Sequence, residues 1–205
     1  MTIGIGLLGL GTVGAGVAAI LASPEGRHPL VGELALKRVA VRDLDRPRPI
    51  DLAADLLTTN PEAVVDDPSV EIVVEVMGGL EPARSLILCA IAAGKPVVTA
   101  NKAVIARYGE EIAAAAAEKG VYVLIEAAVG GGIPIIEPLK QSLGGNRIHR
   151  VSGIINGTTN YILSRMADEG AAYGAVLAEA QQLGYAEADP DRKSTRLNSS
   201  HTVIS

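Results

Sequence analysis

The sequence has 205 residues, of which 48% are hydrophobic, and a formal net charge of −5. This length suffices for one large domain or for one domain and part of another. The mild acidity argues against a nucleic-acid-binding surface, which needs clustered lysine and arginine. No apolar run reaches the roughly 18 residues of a membrane span, and the start lacks the basic segment of a secretory signal. The single cysteine, Cys89, cannot form an internal disulfide, which fits a cytoplasmic protein.

The N-terminal part alternates predicted strands and helices. Apolar, often β-branched runs predict strands at residues 3–8, 34–41, 72–77, 96–99 and 121–125. Helical spacing predicts helices at residues 13–21, 81–92 and 102–119. Strands that are apolar throughout are typical of a sheet covered by helices on both faces. We therefore predict an α/β fold with a Rossmann-type, doubly wound parallel sheet over residues 1–128.

Beyond residue 128 the pattern changes. A glycine run at 130–132 precedes a predicted helix at 134–143, opened by Pro134. A strand is predicted at 147–155, with helices at 158–167 and 175–183. Strand and helix no longer alternate regularly, so we place a second domain, of α+β type, at residues 129–191.

The last 14 residues, 192–205, differ in composition from the rest. They hold four serines, two threonines, three basic residues and no acid, whereas the preceding 191 residues contain six serines. An ordinary polar, disordered terminus would account for this difference. We favour a foreign or frame-shifted segment, because the family resemblance described below stops at Asp191.

Cys89 lies in an apolar helical pattern, which predicts a buried residue rather than a nucleophile.

The strongest local motif is a glycine fingerprint at the start of the chain. The pattern G-x-G-x-x-G is matched by Gly9-Leu10-Gly11-Thr12-Val13-Gly14. It follows a predicted strand and opens a predicted helix, the context in which this pattern binds dinucleotides. Gly9 allows the tight turn, Gly11 lets a pyrophosphate approach the backbone, and Gly14 lets the helix pack close to the strand. The helix N-terminus then offers N–H groups to the phosphates.

The residues after the second predicted strand bear on the choice of dinucleotide. NAD-binding proteins usually carry Asp or Glu here to accept hydrogen bonds from the ribose hydroxyls. This strand ends in Arg42, followed by Asp43, with Arg46 and Arg48 close by. A guanidinium can pair with a 2′-phosphate in a forked geometry. We therefore favour NADP over NAD, with the alternative that Arg42 is solvated and Asp43 takes the NAD role.

Five later segments go beyond a generic Rossmann sheet. They are Glu75-Val76-Met77-Gly78-Gly79, Val97-Val98-Thr99-Ala100-Asn101-Lys102-Ala103, Glu126-Ala127-Ala128-Val129-Gly130-Gly131-Gly132-Ile133-Pro134, Gly153-Ile154-Ile155-Asn156-Gly157-Thr158-Thr159-Asn160-Tyr161 and Leu183-Gly184-Tyr185-Ala186-Glu187-Ala188-Asp189-Pro190. In this order and spacing they closely resemble the homoserine dehydrogenase family, over roughly residues 2–191.

This resemblance implies an activity and a setting. The family interconverts homoserine and aspartate 4-semialdehyde with a nicotinamide cofactor, in threonine and methionine biosynthesis. It implies a cytoplasmic enzyme that acts on a small molecule and forms a homodimer when complete. It also implies that residues 129–191 are part of an incomplete catalytic and dimerisation domain. Neither nucleic acid nor a membrane is expected as a partner.

Matching motifs assign the cofactor contacts by resemblance. The implied cofactor-binding residues are Gly9, Leu10, Gly11, Thr12, Val13, Gly14, Arg42 at the 2′-phosphate, Gly79, Lys102, Gly157 and Gly184. Lys102 is expected beside the nicotinamide and the substrate, where its charge would stabilise the oxygen that becomes alkoxide-like. The alternative for Lys102 is a solvated lysine at the start of a helix.

The resemblance also implies a substrate pocket and a monovalent cation site. Glu187 would bind the amino group of homoserine, and Asn156 and Thr158 would line the same cleft. The metal ligands would be the carboxylate of Glu126 and the backbone carbonyls of Val129, Gly131 and Ile133, with sodium as the expected ion. Hard oxygen ligands suit such a cation. The alternative is a glycine-rich hinge in which Glu126 caps a helix.

The sequence departs from the family in its last residues. The family has a substrate-binding Asp and a proton-donating Lys where this chain has Asn198 and Thr202. Threonine is a poor acid near neutral pH, so we expect this chain to be nearly inactive. Two alternatives to the enzyme are a non-catalytic NADP-binding redox sensor and another amino-acid or semialdehyde dehydrogenase on the same fold. The sensor would not need the substrate-side motifs, and the other dehydrogenase would need a catalytic group that we do not find.

Overall fold

The computed structural model describes residues 2–152 and 157–183. The chain divides into two compact units, residues 1–131 and 132–205. The division lies near the boundary predicted at residue 128, and the domain limits themselves stay a prediction.

The first unit is built on a sheet of six parallel strands in the order β3-β2-β1-β4-β5-β6. The strands are β1 (Ile3–Leu8), β2 (Leu34–Ala40), β3 (Leu57–Thr58), β4 (Ile72–Glu75), β5 (Val97–Thr99) and β6 (Val123–Leu124). Its helices are α1 (Thr12–Ala22), α2 (Glu62–Val65), α3 (Ala83–Ala92) and α4 (Lys102–Lys119). The predicted α/β fold class with a doubly wound parallel sheet is confirmed.

The direction in which the sheet grows reverses beside β1. The chain first adds β2 and β3 on one side of β1 and then crosses to add β4, β5 and β6 on the other. In open sheets of this kind, ligands bind outside the carboxyl ends of the strands at such a switch point. The turns that follow β1 and β4 therefore border the expected binding crevice.

The central strands are buried on both faces. Leu7 and Leu8, neighbours in β1, are both fully buried and belong to different apolar clusters. Val73 and Val74 of β4 divide between the same two clusters. Successive strand residues point to opposite faces of a sheet, so each cluster is the core of one helical layer. This arrangement explains the uninterrupted apolar runs in the sequence.

One face of β1 packs unusually close to its neighbours. A Cβ built on Gly4 would overlap the backbone carbonyl of Ser69, and one on Gly6 would lie 2.7 Å from side-chain carbons of Val64 and Val70. Glycine at these two positions lets α2 and the segment after it approach the strand directly.

Several predicted boundaries were wrong, and two short elements were not predicted. β4 ends at Glu75 rather than 77, and α3 begins at Ala83 rather than 81, because the turn between them contains two left-handed glycines, Gly78 and Gly79, both with φ near +76°. β3 and α2 have two and four residues, too few to show a period. Cys89 was predicted to be buried and is exposed.

The second unit contains α5 (Gly157–Glu169) and α6 (Tyr173–Gln182). These two helices pack through Ile162, Val176 and Ala180. Of the helix predicted at 134–143, residues 136–142 are helical. Most of this stretch, Pro138–Ser142, is a wider π-helical turn, closed by a hydrogen bond from Leu143 N–H to the Pro138 carbonyl.

The strand predicted at 147–155 is not formed within residues 147–152, where only Val151 makes a bridge. Residues 153–155 lie outside the described part of the chain. In residues 2–152 and 157–183, no helix has the length and apolar character needed to cross a bilayer.

Candidate active site

The turn between β1 and α1 needs glycine at two positions. Gly9 has φ +105°, and its N–H donates to the Ala40 carbonyl at 3.0 Å. A Cβ on Gly14 would overlap the Gly9 carbonyl oxygen and lie 3.3 Å from Val76 Cγ2. A Cβ on Gly11 would meet nothing within 4 Å. The protein itself thus requires glycine at positions 9 and 14, whereas position 11 borders open space that a ligand can enter.

The N-terminus of α1 opens at this turn. Gly11 is its N-cap, no side chain caps the helix, and no acidic residue lies in its first turn. Its N–H groups and the positive end of its dipole therefore favour an anion at the turn. Thr12 and Val13 are exposed there, and Leu10 is 8% exposed. The structure thus brings together all six residues of the predicted fingerprint.

A cavity of about 310 Å³ lies over the β1–β3 side of the sheet edge. It combines apolar side chains with two arginines and one acid, and its lining is Leu10, Leu44, Arg46, Arg48, Ile50, Asp51, Leu52 and Leu57. A hollow that combines apolar and charged side chains can accept a ligand with both characters.

Arg48 braces the loop that forms this cavity. Its guanidinium donates to the backbone carbonyls of Asp43, Leu44 and Arg46, at 3.1 Å for Leu44 and 2.9 Å for Arg46. Asp43 Oδ1 in turn accepts from Asp45 N–H at 2.9 Å. Arg42 is exposed and directly precedes this loop.

Gly79 and Lys102 lie on the other side of the crevice, after β4 and at the start of α4. The side chain of Asn101 connects them: Nδ2 donates to the Gly79 carbonyl at 2.8 Å, and Oδ1 accepts from Val104 N–H at 3.2 Å, capping α4. Lys102 is the exposed first residue of α4. Asn101 was not among the predicted site residues, although Asn just before a helical pattern is a known N-cap signal.

An arginine joins the two helices that flank this side. Arg84, in the first turn of α3, donates through Nε to Glu111 Oε2 at 2.8 Å, contacts Glu111 Oε1 through Nη2, and lies 4.9 Å from the Tyr108 ring centre. The hydrogen bonds from Arg84 hold the pKa of the Glu111 carboxyl below its ordinary value. The pair is exposed, so its contribution to stability is small.

The residues predicted for the cation site follow β6. Glu126 begins a short 3-10 turn, Glu126–Ala128, and Val129 N–H donates to the Glu126 carbonyl at 3.1 Å. Gly130 and Gly131 both have left-handed backbone, with φ +74° and +64°. Such a turn can direct neighbouring carbonyls to one side, which suits a cation held by carbonyls and one carboxylate. Ile133 belongs to the second unit.

Of the other predicted site residues, the structure describes only two. Gly157 and Thr158 begin α5 in the second unit. Asn156, Gly184, Glu187, Asn198 and Thr202 lie outside the described residues.

Comparison with known proteins decides the family. The family model described as "Homoserine dehydrogenase, NAD binding domain" matches residues 9–126, and the model "Homoserine dehydrogenase" matches residues 134–193. The chain belongs to the homoserine dehydrogenase family.

Curated members of the homoserine dehydrogenase family match most of this chain. The chain is 68% identical over 190 residues to the homoserine dehydrogenase of Synechocystis sp., covering 93% of this chain and 44% of the relative. It is 46% identical over 188 residues to that of Bacillus subtilis, covering 91% of this chain and 43% of the relative. The chain thus spans less than half the length of these relatives.

Solved homoserine dehydrogenase structures share its fold. That from Thiobacillus denitrificans has a TM-score of 0.82 at 56% identity, over 93% of this chain and 44% of the solved chain. A hyperthermophilic archaeal homoserine dehydrogenase in complex with NADPH has a TM-score of 0.76 at 28% identity, over 94% of this chain and 64% of the solved chain.

Proposed function

We propose that this chain carries the NADP-binding site and part of the substrate-binding site of a homoserine dehydrogenase. The observation that carries this is the glycine turn at the switch point of the sheet, where position 11 borders open space beside an uncapped helix N-terminus. Membership of the family supplies the reaction: the interconversion of homoserine and aspartate 4-semialdehyde, as part of threonine and methionine biosynthesis in the cytoplasm.

The residues present fit a dinucleotide phosphorylated at the 2′ position. The α1 N-terminus would hold the pyrophosphate, with Leu10, Thr12 and Val13 beside it. The cavity over β1–β3 would take the adenosine half. Arg42 and Arg46 would bind the 2′-phosphate, because Arg48 is engaged with backbone carbonyls. One carboxylate oxygen of Asp43 is engaged in its own loop, which favours NADP over NAD. The related archaeal enzyme in complex with NADPH supports the same choice.

The nicotinamide half would lie over β4 and β5, near Gly79 and Lys102. The bound cofactor would accept or donate the hydride. The ammonium group of Lys102 would stabilise negative charge on the substrate oxygen. Gly157, Gly184, Asn156, Thr158 and Glu187 are proposed for the remaining cofactor and substrate contacts on the strength of the family resemblance.

A monovalent cation, sodium by our proposal, would be held by Glu126 and the carbonyls of Val129, Gly131 and Ile133. The left-handed glycines after Glu126 support it. We further propose that the complete protein is a homodimer, as the resemblance implies.

The test is a fluorescence titration of this chain with NADPH and NADH. We expect NADPH to bind more tightly. Arg42→Ala should weaken NADPH binding about tenfold, the value of one charge-assisted hydrogen bond, and leave NADH binding unchanged. Arg107→Ala is the matched control, because Arg107 is an exposed arginine on α4. Equal binding of both cofactors, or the same loss in both arginine variants, would contradict the assignment of Arg42.

Gly11→Ala tests the place of the pyrophosphate. Because an added Cβ meets no protein atom within 4 Å, the free energy of unfolding should fall by at most about 1 kcal/mol, the cost of alanine in place of glycine at an N-cap. NADPH affinity should fall by at least about tenfold, because the methyl group occupies the space in which the pyrophosphate meets the backbone. Unchanged NADPH affinity would place the phosphates elsewhere.

A further inference from the structure

The last residue of β4 is a fully buried acid. Glu75 has 0% of its surface exposed, and it is the one acidic or basic side chain among the buried residues of the described part of the chain. Burying a carboxylate is costly unless hydrogen bonds compensate. The carboxylate of Glu75 must therefore have hydrogen-bond partners that compensate for its burial.

Three donors converge on this carboxylate. Glu75 Oε1 accepts from Met77 N–H at 2.9 Å and from Asn101 Nδ2 at 3.4 Å, and Oε2 accepts from the Thr99 hydroxyl at 2.7 Å. The same Thr99 oxygen accepts from Asn101 N–H at 3.0 Å. Asn101 Nδ2 also donates to the Gly79 carbonyl at 2.8 Å. We call Glu75, Thr99 and Asn101 the buried triad.

The buried triad connects the three pieces of backbone that border one half of the crevice. These are the turn after β4, with left-handed Gly78 and Gly79, the end of β5, and the first turn of α4, which starts with Lys102. An ionised carboxylate only accepts hydrogen bonds, so it can satisfy all three donors at once. An amide in its place would present a donor to one of them.

We propose that Glu75 is a positioning residue for the nicotinamide half of the cofactor. Through Thr99 and Asn101 it fixes the Gly79 carbonyl and the start of α4 in the arrangement that this half requires. Glu75 itself touches no cofactor. This inference rests on the proposed NADP site, whose adenosine half lies on the other side of the switch point, over β1–β3.

The two halves can be tested separately with two probes. We would titrate the full chain with NADPH and with adenosine 2′,5′-bisphosphate, which lacks the nicotinamide half. Glu75→Gln should weaken NADPH binding by about tenfold or more, the effect of losing one hydrogen bond to a charged group, and leave the bisphosphate affinity within twofold. Glu71→Gln is the matched control: Glu71 lies just before β4, at its opposite end, where its carboxylate accepts from Gly4 N–H at 3.1 Å.

A second pair of variants covers the case in which Glu75→Gln does not fold. Thr99→Val removes the hydroxyl while keeping the shape, and Thr99→Ser keeps the hydroxyl. Thr99→Val should weaken NADPH binding as much as Glu75→Gln does, and Thr99→Ser should retain the NADPH affinity of the unaltered chain.

Equal losses for both probes would show that the buried triad merely holds the fold and would overturn the inference, as would unchanged NADPH affinity in both Glu75→Gln and Thr99→Val. Failure of the unaltered chain to bind either probe is a different result: it removes the proposed NADP site, and the inference falls with it.

Discussion

Replacing Gly14 by alanine is expected to lower the free energy of unfolding of the first unit by about 2 kcal/mol, the usual cost of overpacking a close contact. The added methyl group would overlap the Gly9 carbonyl oxygen. That oxygen belongs to the backbone, so relief requires moving α1 away from β1. NADPH affinity should fall as well, because the N-terminus of α1 moves with the helix. Urea unfolding followed by circular dichroism measures the first effect, and fluorescence titration measures the second.

Gly16→Ala is the matched control for this experiment. Gly16 lies in the same helix, is exposed, and would place its Cβ in open space. Alanine is the better helix former by about 1 kcal/mol, so this variant should be slightly more stable than the original chain and bind NADPH equally well. Two variants that shift stability in the same direction would refute the close packing at Gly14.

The chain as it stands should bind NADPH yet oxidise homoserine on the order of 10³-fold more slowly than a chimera in which residues 1–191 continue into the matching remainder of the Synechocystis relative. General acid–base catalysis is typically worth 10²- to 10⁴-fold. The resemblance places the family's proton donor at position 202, where this chain has threonine. Steady-state NADPH formation at saturating homoserine measures the difference.

A chimera with threonine at position 202 isolates the proton donor from the rest of the added sequence. It should bind NADPH as the chimera does and lose most of its turnover. Comparable turnover by the unextended chain would contradict the role given to that position. A chimera that binds NADPH and leaves homoserine unchanged would instead favour a redox sensor or a different dehydrogenase.

The sequence predicted the parts of the site that depend on local backbone. The glycine fingerprint, the parallel sheet and the start of α4 at Lys102 follow from a few neighbouring residues, because turn geometry and strand periodicity are local properties. The cavity over β1–β3 could not be predicted, since its lining by Leu44 and Ile50 depends on the path of a loop that Arg48 braces.

Burial was the property that the sequence predicted least well. Glu75 is an acid at a strand end, where exposure is the ordinary expectation, and only the meeting of β4, β5 and α4 shows that it is buried. Cys89 shows the opposite error. The buried side of α3 is formed by Leu86, Ile87, Ala90 and Ile91, and the helical period places Cys89 away from it.

The close approach at Gly4 and Gly6 also decides the register in which β1 joins the sheet. In a strand with one solvent-exposed face, a register shift of one residue is destabilising because it turns apolar side chains towards water. That penalty is weak in β1, where Leu7 and Leu8 are both apolar and fully buried. A slip would instead bring Ile5 or Leu7 to positions where even a Cβ overlaps its neighbours. The central strand is therefore aligned by excluded volume rather than by polarity.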